Sequence, residues 1–188
     1  ANVFAFLQKY GLEKEFKLNI EQNHAILAKH SFEHEIAYAL SNNILGSIDI
    51  NRGDYLVGWD TDQFPNNVEE LVLPFYYIFK NGGFSSGGLN MDAKIRRQSI
   101  DPEDLFYAHI GSMDTCARTL IAVEKMINDG SYETFLKQRY ESWNENSELM
   151  NKLSLEDIHN KVIKENINPD PKSGRQEYLE NLINSFVE

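Results

Sequence analysis

Six residues in the first half of the chain have types and spacing suited to divalent metal chemistry. They are Glu21 and His24 in I-E-Q-N-H, Asp49 in S-I-D-I-N-R-G-D, Asp60 and Asp62 in G-W-D-T-D-Q-F-P, and Asp92 in L-N-M-D-A-K. Brought together, five carboxylates and one imidazole would repel one another strongly, and divalent cations would cancel that repulsion. An oxygen-rich ligand set with a single imidazole suits Mg²⁺ or Mn²⁺, or Co²⁺, better than a closed zinc site. Taken singly the signals are weak. A D-x-D in a loop or an E-x-x-H is ordinarily a solvated residue, a turn former or a cap. Their weight comes from position, because all six fall at the ends of expected strands or in the loop that follows one.

The elements that must position them follow from periodicity. Asn2–Tyr10 reads as a helix closed by Gly11. Phe16–Ile20 alternates like a strand and ends on the polar cluster Glu21, Asn23 and His24. Ser31 suits the cap of a helix to Ser41, with Phe32, Ile36 and Leu40 on its apolar face. Leu45–Ile50 reads as a second strand, followed by a long polar connection that carries Asp60 and Asp62. Asn67–Glu70 resembles a capping box for a helix to Lys80, with a bend expected at Pro74. A third strand is expected around Gly88–Asp92. Asp101-Pro102 opens a long helix to Asp129, with Gly130 as its stop.

Strands alternating with helices indicate a parallel α/β sheet. In such proteins functional groups gather at the C-terminal ends of strands. Three strands do not close a barrel, so the pattern fits the last three strand–helix units of a (β/α)8 TIM barrel. Its N-terminal part would be absent from this chain. After Gly130 the strands stop. Helices are expected over 132–143, 155–165 and 175–186, with Ser131 and Ser154 as caps for the first two. The expected division is 1–130, carrying the metal-ligand strand ends, and 131–188, a helical tail suited to oligomer contacts.

Composition narrows the classes. The chain has 188 residues, 41% hydrophobic and 12% aromatic, which excludes a disordered polymer. A net charge of −11 disfavours nucleic acid as a partner. No apolar run approaches the ~20 residues that span a membrane. The single cysteine, Cys116, can form neither an internal disulfide nor a thiolate metal site, which suits a reducing, cytoplasmic setting. The start at Ala1 has no signal-peptide pattern and begins inside an expected helix, as a piece of a longer chain would.

Several separate motifs, in order and without a large insertion, carry a family resemblance. LNIEQNHA, GSIDINRGD, GWDTDQFPNN, GGLNMDAKIRRQS, DPEDLFYAHIGSMD and SGRQEYLENL resemble xylose isomerase of the longer-chain bacterial type, in its C-terminal portion. The resemblance implies a (β/α)8 barrel that interconverts D-xylose and D-xylulose, and D-glucose and D-fructose, by a metal-assisted 1,2-hydride shift. It also implies two divalent cations, Mg²⁺ or Mn²⁺ or Co²⁺, an aldose or ketose substrate, and a homo-oligomer that in the family is a tetramer. Carried over by motif, Glu21 bridges both metals. Asp49 and Asp92 ligate the structural one, and His24, Asp60 and Asp62 the catalytic one. Asp62 is in addition the catalytic carboxylate that orients a metal-bound water.

The family's ring-opening His–Asp pair, its catalytic Lys and a fourth carboxylate of the structural metal have no counterpart in these residues. Little or no activity is therefore expected of the chain alone, and its open sheet edges favour self-association. The alternative is a non-catalytic, metal-binding, self-associating module derived from the isomerase. A metal-dependent barrel acting on phosphodiesters is disfavoured by the acidic charge. Among secondary features, Asn23 is expected to brace the strand end or to be a plain loop residue. His30 is expected to lead into its helix, Trp59 to pack and fix the loop, and Lys94, Arg96 and Arg97 to pair with acidic neighbours or to steady the last strand–helix loop. Leu105, Phe106, Tyr107 and His109 are expected to be packed, and Cys116 to be a small buried residue.

Overall fold

In the computed structural model the described residues are 1–145 and 151–187. They comprise eleven elements: α1 (Asn2–Lys9), β1 (Leu18–Glu21), α2 (Gln22–Leu27), α3 (Phe32–Ser41), β2 (Leu45–Asp49), α4 (Glu69–Lys80), β3 (Leu89–Asn90), α5 (Pro102–Asp129), α6 (Ser131–Glu145), α7 (Leu155–Lys164) and α8 (Gln176–Val187). Two compact units divide the chain, essentially Ala1–Ile127 and Asn128–Phe186. Positions 146–150 and 188 of the expected tail lie outside the described residues.

The three strands form one parallel sheet in the order β1-β2-β3. Asn19 lies beside Ser47, Ile20 beside Ile48 and Glu21 beside Asp49, while Ile48 and Asp49 face Leu89 and Asn90. Because side chains alternate along a strand, this register places all like residues on one face. Ile20 and Ile48 are buried, and Asn19, Glu21, Ser47, Asp49 and Asn90 share the other face. The first strand begins two residues later than its alternation suggested, and the third is only two residues long. Gly87 explains how the third still reaches β2. A Cβ there would sit 1.8 Å from the Gly46 carbonyl oxygen, so only glycine permits the approach.

The core is built by Ile20, Ile44, Ile48 and Ile50 with Phe32, Ile36 and Ala39 of α3 and Leu71, Val72, Phe75 and Ile78 of α4. Pro74 lies inside α4, which continues on both sides of it. The expected capping box at its start is replaced by an Asx turn, in which the Asn67 side chain accepts the Glu69 N–H at 2.9 Å.

Helix α5 corrects an expectation. Leu105, Phe106 and Tyr107 are exposed (48, 67 and 75%) rather than packed. Its buried stripe is Ser112, Thr115, Thr119, Ala122, Val123 and Met126, at helical spacing but small and partly polar. The three hydroxyls satisfy themselves on backbone carbonyls four residues back, at 2.7–2.8 Å, so their burial leaves no orphaned donor. His109 is also exposed, its ring edge-on to Phe64 at 4.7 Å. Cys116 is only partly buried, and desolvation raises its thiol pKa.

Within the second unit, Ser154 forms a full capping box with Asp157 at the start of α7. Ser131 does not cap α6 as expected. Its own N–H is accepted by the Asp129 carboxylate at 3.0 Å. No described helix is long and apolar enough to cross a membrane.

Candidate metal centre

Glu21 and Asp49 are the last residues of β1 and β2 and lie directly beside each other in the sheet. Asp92 follows the end of β3 by two residues. One ligand atom from each of Glu21, Asp49 and Asp92 falls within 4.8 Å of the others. Glu21, His24 and Asp60 form a second group by the same measure, so Glu21 is common to both.

His24 belongs to a helix that periodicity did not reveal. Helix α2 starts directly after β1, and its first turn turns His24 back over Glu21. The two His24 ring nitrogens face Glu21 Oε2 and Asp60 Oδ2, each at 3.2 Å. Asp60 arrives from the long loop after β2. That loop is pinned where Arg52 and Gln63 exchange backbone hydrogen bonds at 2.7 and 2.9 Å, and where the Lys94 N–H donates to Asp62 O at 2.8 Å. Asp62 itself sits in the left-handed region, φ 41°, held there by these bonds on either side.

Asp62 belongs to neither close group. Its carboxylate takes Lys94 Nζ at 2.8 Å, and the Asn23 and Asn51 side-chain amides lie 3.3 Å away. Burial opposes its ionisation, but hydrogen bonds from its partner Asp60, from Lys94 and from Asn23 outweigh that and hold its pKa at about 2. Asp60 moves the other way. The hydrogen bond and charge of Asp62, with burial, raise its pKa against the pull of His24. The two behave as a carboxylate pair in which one partner holds a proton more readily than the other. Glu21 is also raised, by burial first and then by the charges of Asp60 and Asp62, although Asn51 and His24 favour its ionised form. A cation at the convergence of these oxygens would relieve the repulsion, and a donor set of carboxylates with one imidazole fits Mg²⁺ or Mn²⁺.

Two buried asparagines organise the carboxylates. Asn51, absent from the residues singled out by sequence, is fully buried at the end of the β2 run. Its amide donates to Glu21 Oε1 at 2.8 Å and to the Asp92 carbonyl at 2.7 Å, while its oxygen accepts the Asn23 N–H at 2.9 Å. One side chain thus ties together all three strand ends. Asn23, expected as a brace or a loop residue, is equally buried and donates to Asp60 and Asp62. Gly53 makes room for it, since a Cβ there would meet Asn23 Oδ1 at 2.0 Å. On the open side of the sheet, Asn19 and Asn90 donate to the two oxygens of Asp49 at 2.5 and 3.1 Å. A signal for these roles exists in the sequence only as asparagines at strand ends.

Lys94 pairs with an acidic neighbour as expected. Trp59 does not pack. It is 68% exposed and lines a cavity of about 550 Å³ together with Asp60, Lys94, Arg96 and Arg97.

Comparison with known proteins agrees with the motif reading. The family model of the XylA2 C-terminal domain matches residues 136–187. The chain is 60% identical over its whole length to a xylose isomerase of Ruegeria sp. (strain TM1040), and spans 44% of that protein. It is 60% identical to one of Cereibacter sphaeroides (strain KD131 / KCTC 12085) and 57% to one of Agrobacterium fabrum, spanning 43 and 44% of them. The chain therefore spans less than half the length of these curated relatives. Over all of its residues it is similar to the C-terminal part of xylose isomerases.

Proposed function

We infer that this chain is the metal-carrying C-terminal part of an aldose–ketose isomerase that converts D-xylose to D-xylulose, and D-glucose to D-fructose. In this reading its three strands are the last three of a (β/α)8 barrel. The observation that carries the proposal is Glu21 at the junction of two ligand groups, one with Asp49 and Asp92, the other with His24 and Asp60. The identity to proteins named xylose isomerase supports the substrate class.

Glu21, Asp49 and Asp92 would hold one divalent cation, and Glu21, His24, Asp60 and Asp62 a second. Bound there, the cations would supply Lewis-acid polarisation of two neighbouring sugar oxygens. The chain's own residues set the geometry. Asn51 fixes Glu21 against the end of β3, and Asn19 with Asn90 fixes both oxygens of Asp49. Isomerisation moves hydrogen from C2 to C1 of the open-chain sugar and a proton from O2 to O1. Asp62, kept ionised by hydrogen bonds from Asp60, Lys94 and Asn23, would orient the water that carries this proton, while Asp60 is the member of the pair that more readily holds one.

The test is a chimera in which this chain replaces the matching part of the Ruegeria relative. A chelator-sensitive xylose-to-xylulose activity, lost in Asp62→Asn, is expected. A folded, metal-loaded chimera without turnover would refute the proposal. The chain alone is expected to bind Mn²⁺ with little or no turnover. Substantial activity from it would mean that the site needs nothing from outside these residues.

A further inference from the structure

A second cluster of ligand-type side chains lies apart from the Glu21 groups and shares no residue with them. Just past the end of α2, Lys29 takes the left-handed conformation, φ 63°, and the His30 N–H donates to Ala25 O at 2.9 Å. This Schellman-type closure fixes where His30 leaves the helix. His34 and Glu35 lie in the first turn of α3, three and four residues beyond its N-cap Ser31. Two elements therefore deliver three side chains to one point. The His30 ring donates through Nδ1 to Glu35 Oε1, and His34 Nδ1 stands 3.5 Å from the same oxygen. The two imidazole rings are 4.7 Å apart. One ligand atom from each residue lies within 4.8 Å of the others. Glu35 is the least exposed, at 24%, against 48 and 58% for the histidines. Burial opposes its charge, but the His30 hydrogen bond and the charges of His30, the N-terminal amine and His34 prevail and lower its pKa.

We propose that His30, His34 and Glu35 form a separate surface site for a borderline transition-metal cation, Zn²⁺ or Cu²⁺. Two imidazoles and one carboxylate make the donor set of an open, three-ligand zinc site, with water free to fill the remaining position. Imidazole selects Zn, Cu and Ni, whereas the Glu21 groups, dominated by carboxylate oxygens, select Mg and Mn. The two clusters would therefore sort different metals. A cation here would take the place of the proton that His30 shares with Glu35, and would clamp the end of α2 to the start of α3.

The test uses the whole chain with Mg²⁺ in excess, so that the carboxylate-rich groups are already supplied. Zn²⁺ is titrated by calorimetry, and Cu²⁺ is added for electron paramagnetic resonance. The trio predicts one tight Zn²⁺ per chain and a Cu²⁺ spectrum with two coordinated nitrogens. The Glu21 groups offer only His24 and would give one nitrogen. His30→Gln and His34→Gln are each expected to weaken Zn²⁺ at least about tenfold and to remove one nitrogen coupling. His109→Gln, which removes an exposed imidazole outside both clusters, should leave both readouts unchanged. Wild-type chain that binds no Zn²⁺ under excess Mg²⁺, or His variants with unchanged affinity and spectrum, would overturn the proposal and leave the trio as a hydrogen-bonded helix start.

Discussion

Replacing Asn51 with Ala removes the one side chain that joins all three strand ends. Its oxygen accepts the Asn23 N–H, and Asn23 is fully buried, so the variant leaves that donor without a partner. An orphaned buried donor costs about 1–3 kcal/mol. The amide bonds to Glu21 Oε1 and to the Asp92 carbonyl go as well, and each contributes on the order of 1 kcal/mol net, the former somewhat more because its acceptor is charged. A loss of about 4 kcal/mol, with a range of about 3–5, is expected. For a chain of this size that is a fall of roughly 8–16 °C in Tm. Circular dichroism during heating reads it. Mn²⁺ affinity should fall in the same variant, because Glu21 loses the bond that orients it. Asn51→Asp restores an acceptor for Asn23 but brings a further carboxylate beside Glu21 and Asp62, so it should be no better. A Tm shift below about 2 °C together with unchanged Mn²⁺ binding would refute the reasoning.

Asp60→Asn and Asp62→Asn are each expected to weaken Mn²⁺ at the second ligand group by about tenfold or more. Unchanged affinity in both would remove them from the centre. The lowered pKa of Asp62 has a pH consequence. Because its folded value of about 2 lies below its ordinary carboxylate value, it stabilises the fold above the ordinary range and loses that contribution as pH falls towards 2. Lys94→Met should raise the Asp62 pKa, seen in the carboxyl carbon shift by NMR. An unmoved titration would show that the Lys94 pairing is not what holds it. Gly87→Ala must displace the Gly46 carbonyl and should cost about 1–3 kcal/mol in urea unfolding. A neutral substitution would contradict the close approach of β3 to β2.

The order of elements was legible in the sequence apart from α2, and of the six residues singled out as ligands the structure brings five together in two groups around Glu21. Strand ends in a parallel sheet converge, and carboxylates there are visible in the letters alone. Asp62 is drawn aside by Lys94, a pairing that depends on the backbone bond between Lys94 and Asp62 and not on any local pattern. Helix α2 escaped notice because its buried first residues, Gln22 and Asn23, are polar, so no apolar period marks it. Asn51 escaped for a related reason, since its role lies in three hydrogen bonds to distant residues. The errors on α5 have the opposite cause. Leu105, Phe106 and Tyr107 are apolar and exposed, while the helix buries Ser112, Thr115 and Thr119, whose hydroxyls bond their own backbone. Apolar content located the helix but not its inner face. Trp59 likewise lines an open cavity where size alone suggested packing.

The most direct test of the account is the Mn²⁺ stoichiometry of the chain and of Glu21→Gln, measured by calorimetry and paramagnetic resonance. Two Mn²⁺ per chain, spin-coupled through a shared carboxylate and both weakened by the single substitution, is the predicted result. Two independent sites of which Glu21→Gln weakens only one, or binding that the substitution leaves intact, would contradict a centre built around Glu21.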